Sequence, residues 1–173
     1  MQTVSRTANL LGATALALAD LALTGATTSA GASPSGAAAL VALSAVPGLS
    51  VTELGRRVGL SQSATARMTD SLEAAGLAER RPGPGRWVTV RITPAGHAAA
   101  AHLLDARGAP LTGVLAALDD DEQEALARLL GKLLARIYGE IGNADLICRL
   151  CDRPACTTGA TCPVGQAERD HQG

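Results

Sequence analysis

Aromatic residues are almost absent from this chain of 173 residues, which has one Trp, one Tyr and no Phe. Apolar residues nevertheless make up 47% of the sequence, so alanine and the aliphatic residues must fill the core. Alanine and leucine are good helix formers, whereas strands prefer aromatic and β-branched side chains. The composition therefore predicts a mainly α-helical protein and disfavours a β-sandwich.

The chain also lacks a net excess of either charge, with 16 acidic and 15 basic residues. This balance excludes a highly charged disordered chain and a protein that is basic throughout. The distribution is uneven, however, because residues 50–92 contain seven basic and four acidic side chains. A basic middle segment indicates an anionic partner that binds locally, although the same arginines could simply coat an exposed pair of helices.

Long hydrophobic runs are missing as well. Residues 10–23 are apolar but too few to span a bilayer. Arg6 precedes them, as in a secretory signal, yet Asn9 and Asp20 flank or interrupt the stretch, and an amphipathic packing helix explains the same residues. We therefore expect a cytoplasmic protein that does not associate with membranes.

Cysteine is missing from the first 147 residues, and all four cysteines lie in the segment 143–173, which we call the cysteine tail. Disulfide scaffolds usually spread their cysteines through the fold, so a cytosolic metal or redox site is the better interpretation. The spacing is Cys148-x2-Cys151-x4-Cys156-x5-Cys162. Four thiolates so close in sequence can close tetrahedrally around one metal.

The spacing alone does not identify the metal. It is one residue from a zinc-knuckle spacing, with Cys156 in place of the usual histidine, and this slightly favours zinc. Cys162-Pro163 is similar to the Cys-Pro ending of some iron–sulfur motifs, which also use four cysteines. Metal-free thiols that form disulfides on oxidation are the third alternative. We expect the last residues, 166–173, to be frayed.

Caps and turns divide residues 1–142 into helices and one hairpin. Ser33, Ser50, Ser61, Thr93 and Asp119 are predicted N-caps. The predicted helices cover about 3–23, 34–46, 51–58, 62–75, 94–118 and 120–141, with a flexible connection at 24–33. The third and fourth helices, joined at Gly59, have the spacing of a helix-turn-helix. A wing is predicted after them, made of an extended segment, a Pro-Gly loop and the β-rich residues 87–92.

Four ordered motifs in this region resemble the MarR family of bacterial transcription regulators. They are residues 60–67 (LSQSATAR), 72–77 (LEAAGL), Arg80-Arg81 and 90–96 (VRITPAG). With the helices before and after, the resemblance extends over about residues 3–141. It implies a winged helix-turn-helix with long first and last helices that form a homodimer, and a repressor that a small-molecule effector or thiol oxidation releases. The sequence departs from the family at Pro84, where an acid usually helps to hold the wing arginine, here Arg86.

In this geometry the start of the second helix meets base edges in the major groove, and the wing reaches the minor groove or the backbone. Gln can pair with adenine and Arg with guanine, while Ser and Thr more often bind phosphate or cap the helix. The candidate DNA-binding residues are Ser61, Gln62, Ser63, Thr65, Arg67, Arg80, Arg81 and Arg86. A dimer would require a near-palindromic operator in double-stranded DNA.

Two other functional classes remain open at this stage. One is a thiol–disulfide redox protein that uses Cys148 and Cys151, although this pair does not begin a helix within a βαβ unit. The other is a winged-helix module that binds protein rather than DNA. The sequence contains no nucleophile–base set, phosphate loop or paired acids that would indicate an enzyme.

Overall fold

The computed structural model describes residues 5–30, 32–83 and 88–172, and these form helices around one small antiparallel sheet. The helices in chain order are α1 Arg6–Ala30, α2 Pro34–Ala45, α3 Val51–Val58, α4 Gln62–Ala74, α5 Pro94–Leu115, α6 Asp120–Ile141, α7 Ala144–Ile147, α8 Arg153–Thr157 and α9 Pro163–Gln172. The strands are β1 Leu49–Ser50, β2 Ala78–Pro82 and β3 Val88–Ile92. The predicted fold class, mainly α-helical with a β-hairpin wing, is confirmed.

The predicted helix caps are confirmed at each position. A side-chain oxygen accepts a hydrogen bond from the backbone N–H three residues later at Ser33, Ser50, Ser61, Thr93 and Asp119. Each bond satisfies an amide that the first helical turn leaves without a partner. Because these signals are local, they set where each helix begins whatever the tertiary packing.

Helix α1 is longer than the sequence indicated. We expected a flexible connection from residue 24, but the helix continues to Ala30. It packs mainly against α5. The helix thus continues through Gly and Thr residues whose intrinsic helix propensity is poor.

The sheet has the order β1-β3-β2, with β3 antiparallel to both neighbours. Val90, at the centre of β3, lies opposite Leu49 on one side and Arg80 on the other. Strand β1 has only two residues, too few for a periodic pattern, and the sequence did not predict it. The tip of the wing, residues 84–87, lies outside the described residues.

Aliphatic residues form the main core, as the shortage of aromatics predicted. Helix α2 runs through it, and Leu40, Leu43 and Leu54 are fully buried there. Met68 and Leu72 of α4 and Val90 of β3 close the same cluster. The core therefore joins the helix-turn-helix to the wing and fixes their relative positions.

A second, smaller cluster joins the cysteine tail to α6. Val164 and Ala167 of α9 are buried against Tyr138 of α6. The ring of His171 packs edge-on against the ring of Tyr138, with 5.5 Å between the ring centroids. The prediction of a frayed end was wrong for residues 166–172, since they belong to this packed helix. Within the described residues, we find no helix with the length and apolar character needed to cross a membrane.

Candidate functional site

The helix-turn-helix consists of α3, a turn at Gly59 and α4. Gly59 has φ +71°, a left-handed conformation that glycine adopts without strain, and it ends α3. Helix α4 then begins with exposed side chains at Ser61, Gln62 and Ser63, and Arg67 is exposed one turn later. The structure therefore places four of the predicted DNA-binding residues together on one open end of α4.

Thr65 requires a correction, because its side chain has no exposed surface. Its hydroxyl donates to the carbonyl oxygen of Ser61 at 2.8 Å and faces Gly55 of α3. A fully buried side chain cannot reach DNA, so Thr65 leaves the candidate set. Its role is to pack α4 closely against α3.

Arg80 and Arg81 are next to each other on β2 but have different surroundings. The Arg80 guanidinium pairs with Asp70, at 2.7 Å, and with Glu73, both on α4. Arg81 is largely exposed and pairs with Glu79, at 2.8 Å. Arg80 therefore ties the wing to the second helix of the helix-turn-helix, whereas Arg81 lies on the open surface. Arg86 lies outside the described residues.

Two arginines on α3 form an ion-pair network that includes the cysteine tail. Glu53 accepts from Arg56 at 2.8 Å and from Arg57 at 3.0 Å. Asp145 of α7 accepts from Arg56 and from Arg57, each at 2.9 Å. The hydrogen bond from Arg56 lowers the pKa of Glu53 below its ordinary value. The Glu53 pairs follow from helical spacing, but Asp145 is too distant in sequence to be predicted as a partner.

The four cysteines of the tail line one cavity of about 100 Å³. Apolar residues of α2 and α3, including Val41, Ala42 and Val58, also line this cavity, together with the charged side chain of Arg57. The Cys151 N–H donates to the carbonyl oxygen of Cys148 at 2.9 Å, which makes the tight turn between these two ligand candidates. The structure thus brings together thiols that the sequence only placed near one another.

The thiols interact with each other inside this cavity. A hydrogen bond with Cys151 lowers the pKa of Cys148, and the same contact raises the pKa of Cys151. Burial raises the pKa of Cys156 to about 11. The Gly165 N–H donates to the Cys162 sulfur at 3.4 Å. Across residues 5–30, 32–83 and 88–172, no three acidic, cysteine or histidine side chains are positioned to hold a metal ion.

Comparison with known proteins identifies the fold and the family. A model of the MarR family matches residues 31–86. A MarR-family transcriptional regulator from Silicibacter pomeroyi is 33% identical, with 67% of this chain and 80% of that chain covered and a TM-score of 0.52. The chain belongs to the MarR family. Its members are transcription regulators with a DNA-binding winged helix, and they are not enzymes.

Two further solved structures are also similar to this chain. A probable transcriptional regulator from Pseudomonas aeruginosa is 30% identical, with 72% of this chain and 93% of that chain covered and a TM-score of 0.55. A MarR family protein from Bacillus stearothermophilus is 26% identical, with 79% and 99% covered and a TM-score of 0.69. The curated proteins gave no match. The predicted family and winged helix-turn-helix fold are thereby confirmed.

Proposed function

We propose that this MarR-family regulator is a cytoplasmic repressor that binds a near-palindromic operator as a homodimer. The observation that carries the proposal is the open N-terminal end of α4, where Gln62 and Ser63 are exposed beside Arg67. A helix presented in this way can enter the major groove, and Gln62 can contact adenine and Arg67 guanine. Ser61 caps the helix and is available to a phosphate, and the exposed Arg81 borders the wing.

The homodimer is supported by apolar side chains that the single chain leaves exposed on its long helices. On α6 they recur every three or four residues, at Leu130, Leu133, Ile137 and Ile141. On α1 they include Leu10 and Leu16. A continuous stripe of this kind is costly in water and is typical of a surface that a second copy covers.

The DNA-binding proposal is tested by selecting the preferred operator from random duplexes and replacing Gln62 with alanine. We expect Gln62→Ala to lose discrimination at one operator position in each half-site, by about 1–3 kcal/mol, because a bidentate contact to a base would be removed. Gln166→Ala, on the tail helix α9, is the matched control and should leave the preference unchanged. An unaltered preference in Gln62→Ala would show that this residue does not read bases.

We further propose that the cysteine tail binds a metal through Cys148, Cys151, Cys156 and Cys162. The support is that all four thiols line one cavity and that the tail is folded around it. Four thiolates suit zinc or an iron–sulfur cluster, since both accept tetrahedral or near-tetrahedral sulfur ligation. Cys162, just before α9, lines the cavity, whereas His171 of α9 packs on Tyr138, and we therefore propose cysteine ligands alone.

The metal proposal is tested by measuring zinc, iron and acid-labile sulfide in protein purified without oxygen. Stoichiometric zinc in colourless protein would identify a structural ion, and iron with sulfide and visible absorption would identify a cluster. Each single Cys→Ser change, beginning with Cys151→Ser, should remove the metal because a ligand is lost. Metal-free protein that forms a Cys148–Cys151 disulfide on oxidation would instead favour the thiol–disulfide alternative.

A further inference from the structure

The cysteine tail contacts the DNA-binding unit directly. Helix α7 lies on α3, with Asp145 between Arg56 and Arg57 at 2.9 Å from each guanidinium. The Asn143 side chain reaches the carbonyl oxygen of Arg56 at 3.5 Å. A Cβ on Gly59 would lie only 3.0 Å from Leu146, so α7 also packs against the turn between α3 and α4. The contact therefore combines an ionic pair with close packing at the helix-turn-helix.

Helix α7 directly precedes Cys148, and its Ala144 and Ile147 also pack against the cluster that joins the tail to α6. This helix has four residues, and a single helical turn is not stable alone in water. Its C-cap residue is Cys148, whose N–H donates to the carbonyl oxygen of Ala144 at 2.9 Å. Fixing the Cys148 thiol therefore fixes the end of α7, and Asp145 lies only three residues earlier.

The helix-turn-helix itself does not depend on α7 for its shape. Its inner side chains, Leu54, Val58, Met68 and Leu72, are buried in the main core with α2 and β3. Release of α7 would therefore leave α3 and α4 in place and would change mainly the charge beside them. With Asp145 docked, two arginines face two carboxylates, and without it they face Glu53 alone.

We propose that the cysteine tail regulates DNA binding through this contact: α7, held by the metal-loaded cysteines, keeps Asp145 on Arg56 and Arg57 and withholds their charge from the DNA backbone. The inference rests on the proposed metal centre and DNA binding. Loss of the metal releases α7 and leaves one more positive charge on α3. Because this effect acts on phosphate contacts, it applies to DNA of any sequence.

The test measures the affinity for a fluorescent mixed-sequence duplex as a function of salt, with four proteins: wild type, Asp145→Asn, Cys151→Ser and the double variant. We expect Asp145→Asn and Cys151→Ser each to bind about fivefold more tightly than wild type near physiological salt. The slope of the logarithm of the binding constant against the logarithm of the salt concentration should be steeper by about one. The double variant should bind no more tightly than either single variant, since both changes release the same contact. Asp121→Asn, on α6, removes an equal charge away from α3 and should match wild type.

Two controls keep the outcomes separate. Asp145→Asn should retain the metal content of the wild type, which shows that its effect does not come from damage to the cysteine site, and circular dichroism checks the helix content of Cys151→Ser. If metal-loaded Asp145→Asn protein binds the duplex with the same affinity as wild type, the coupling is overturned and the proposed function stays intact. Additive effects in the double variant also overturn it. Wild type that binds neither metal nor DNA overturns both the coupling and the proposed function.

Discussion

At the scale of single residues, the arginines of the basic segment have two kinds of role. Arg80 is held by two carboxylates of α4, and its second terminal nitrogen donates to the carbonyl oxygen of Ala66 at 3.3 Å. Glu73 additionally accepts the backbone N–H of Arg80 at 2.7 Å. Arg81, only one position later, has its carboxylate partner on its own strand. A basic cluster in the sequence therefore contains both structural cations and cations on the open surface.

This difference predicts unequal effects on stability for two similar substitutions. Glu73→Gln should lower the free energy of unfolding by about 1 kcal/mol, since a partly exposed, charge-assisted contact between α4 and β2 is weakened. Chemical denaturation monitored by circular dichroism measures this change. Glu79→Gln, which affects the exposed pair with Arg81, is the matched control and should leave the midpoint unchanged. Equal effects of the two variants would contradict the structural role of Arg80.

The residue scale also shows how far a sequence can define the site. The exposure of Gln62 and Ser63 follows from their place just after an N-cap, which is local information. Thr65 was misplaced because the helical position that faces α3 depends on how closely Gly55 lets the two helices approach. Asp145 was missed because its partners are distant in the chain, and no periodic pattern indicates such a contact.

At the scale of elements, the junction between the wing and α5 is built on one glycine. The Leu77 carbonyl oxygen, just before β2, accepts the N–H of Thr93 at 3.1 Å, and the Thr93 hydroxyl donates to the carbonyl oxygen of Gly76 at 2.7 Å. Gly96 lies against the same Leu77 carbonyl, and a Cβ there would overlap with it. The first turn of α5 can thus approach the strand only if residue 96 has no side chain.

Gly96→Ala should therefore lower the free energy of unfolding by about 3 kcal/mol, because the added methyl group must displace backbone rather than a flexible side chain. The matched control is Gly108→Ala in the same helix, where a Cβ would meet nothing within 4 Å. Gly108→Ala should raise the free energy of unfolding by up to about 1 kcal/mol through its better helix propensity. Thermal and chemical denaturation of both variants measure the contrast, and a Gly96→Ala protein as stable as wild type would contradict it.

Elements with strong local signals were predictable, and those that depend on distant packing were not. The Asp119 capping box and the Thr93-Pro94 start fixed the beginnings of α6 and α5. Helix α1, which packs on α5, continues through the segment that we expected to be flexible, and α9 is ordered because Val164 and Ala167 pack against Tyr138. Neither partner is visible from the segment itself, so both segments were assigned as flexible.

At the scale of the whole molecule, α6 has two apolar faces, and the described part of the chain covers only one of them. Leu134 and Tyr138 pack against the cysteine tail, which therefore leaves the other face of α6 open. That face carries Leu133 and Ile137, exposed by 40% and 43%. The tail therefore packs on one side of α6 and leaves accessible the side that a second copy would contact.

This arrangement predicts that dimerisation and tail folding can be separated by mutation. Leu133→Glu should convert the proposed homodimer to a monomer, because a carboxylate in the centre of the apolar stripe would be buried without a partner. Arg128→Glu introduces the same side chain on α6 away from the stripe and should stay dimeric. Sedimentation velocity measures the oligomeric state. Metal content reports on the proposed cysteine site and should be the same in both variants as in the wild type. A dimeric Leu133→Glu protein would place the interface elsewhere, while a monomer that has lost its metal would show that the cysteine centre depends on the second copy.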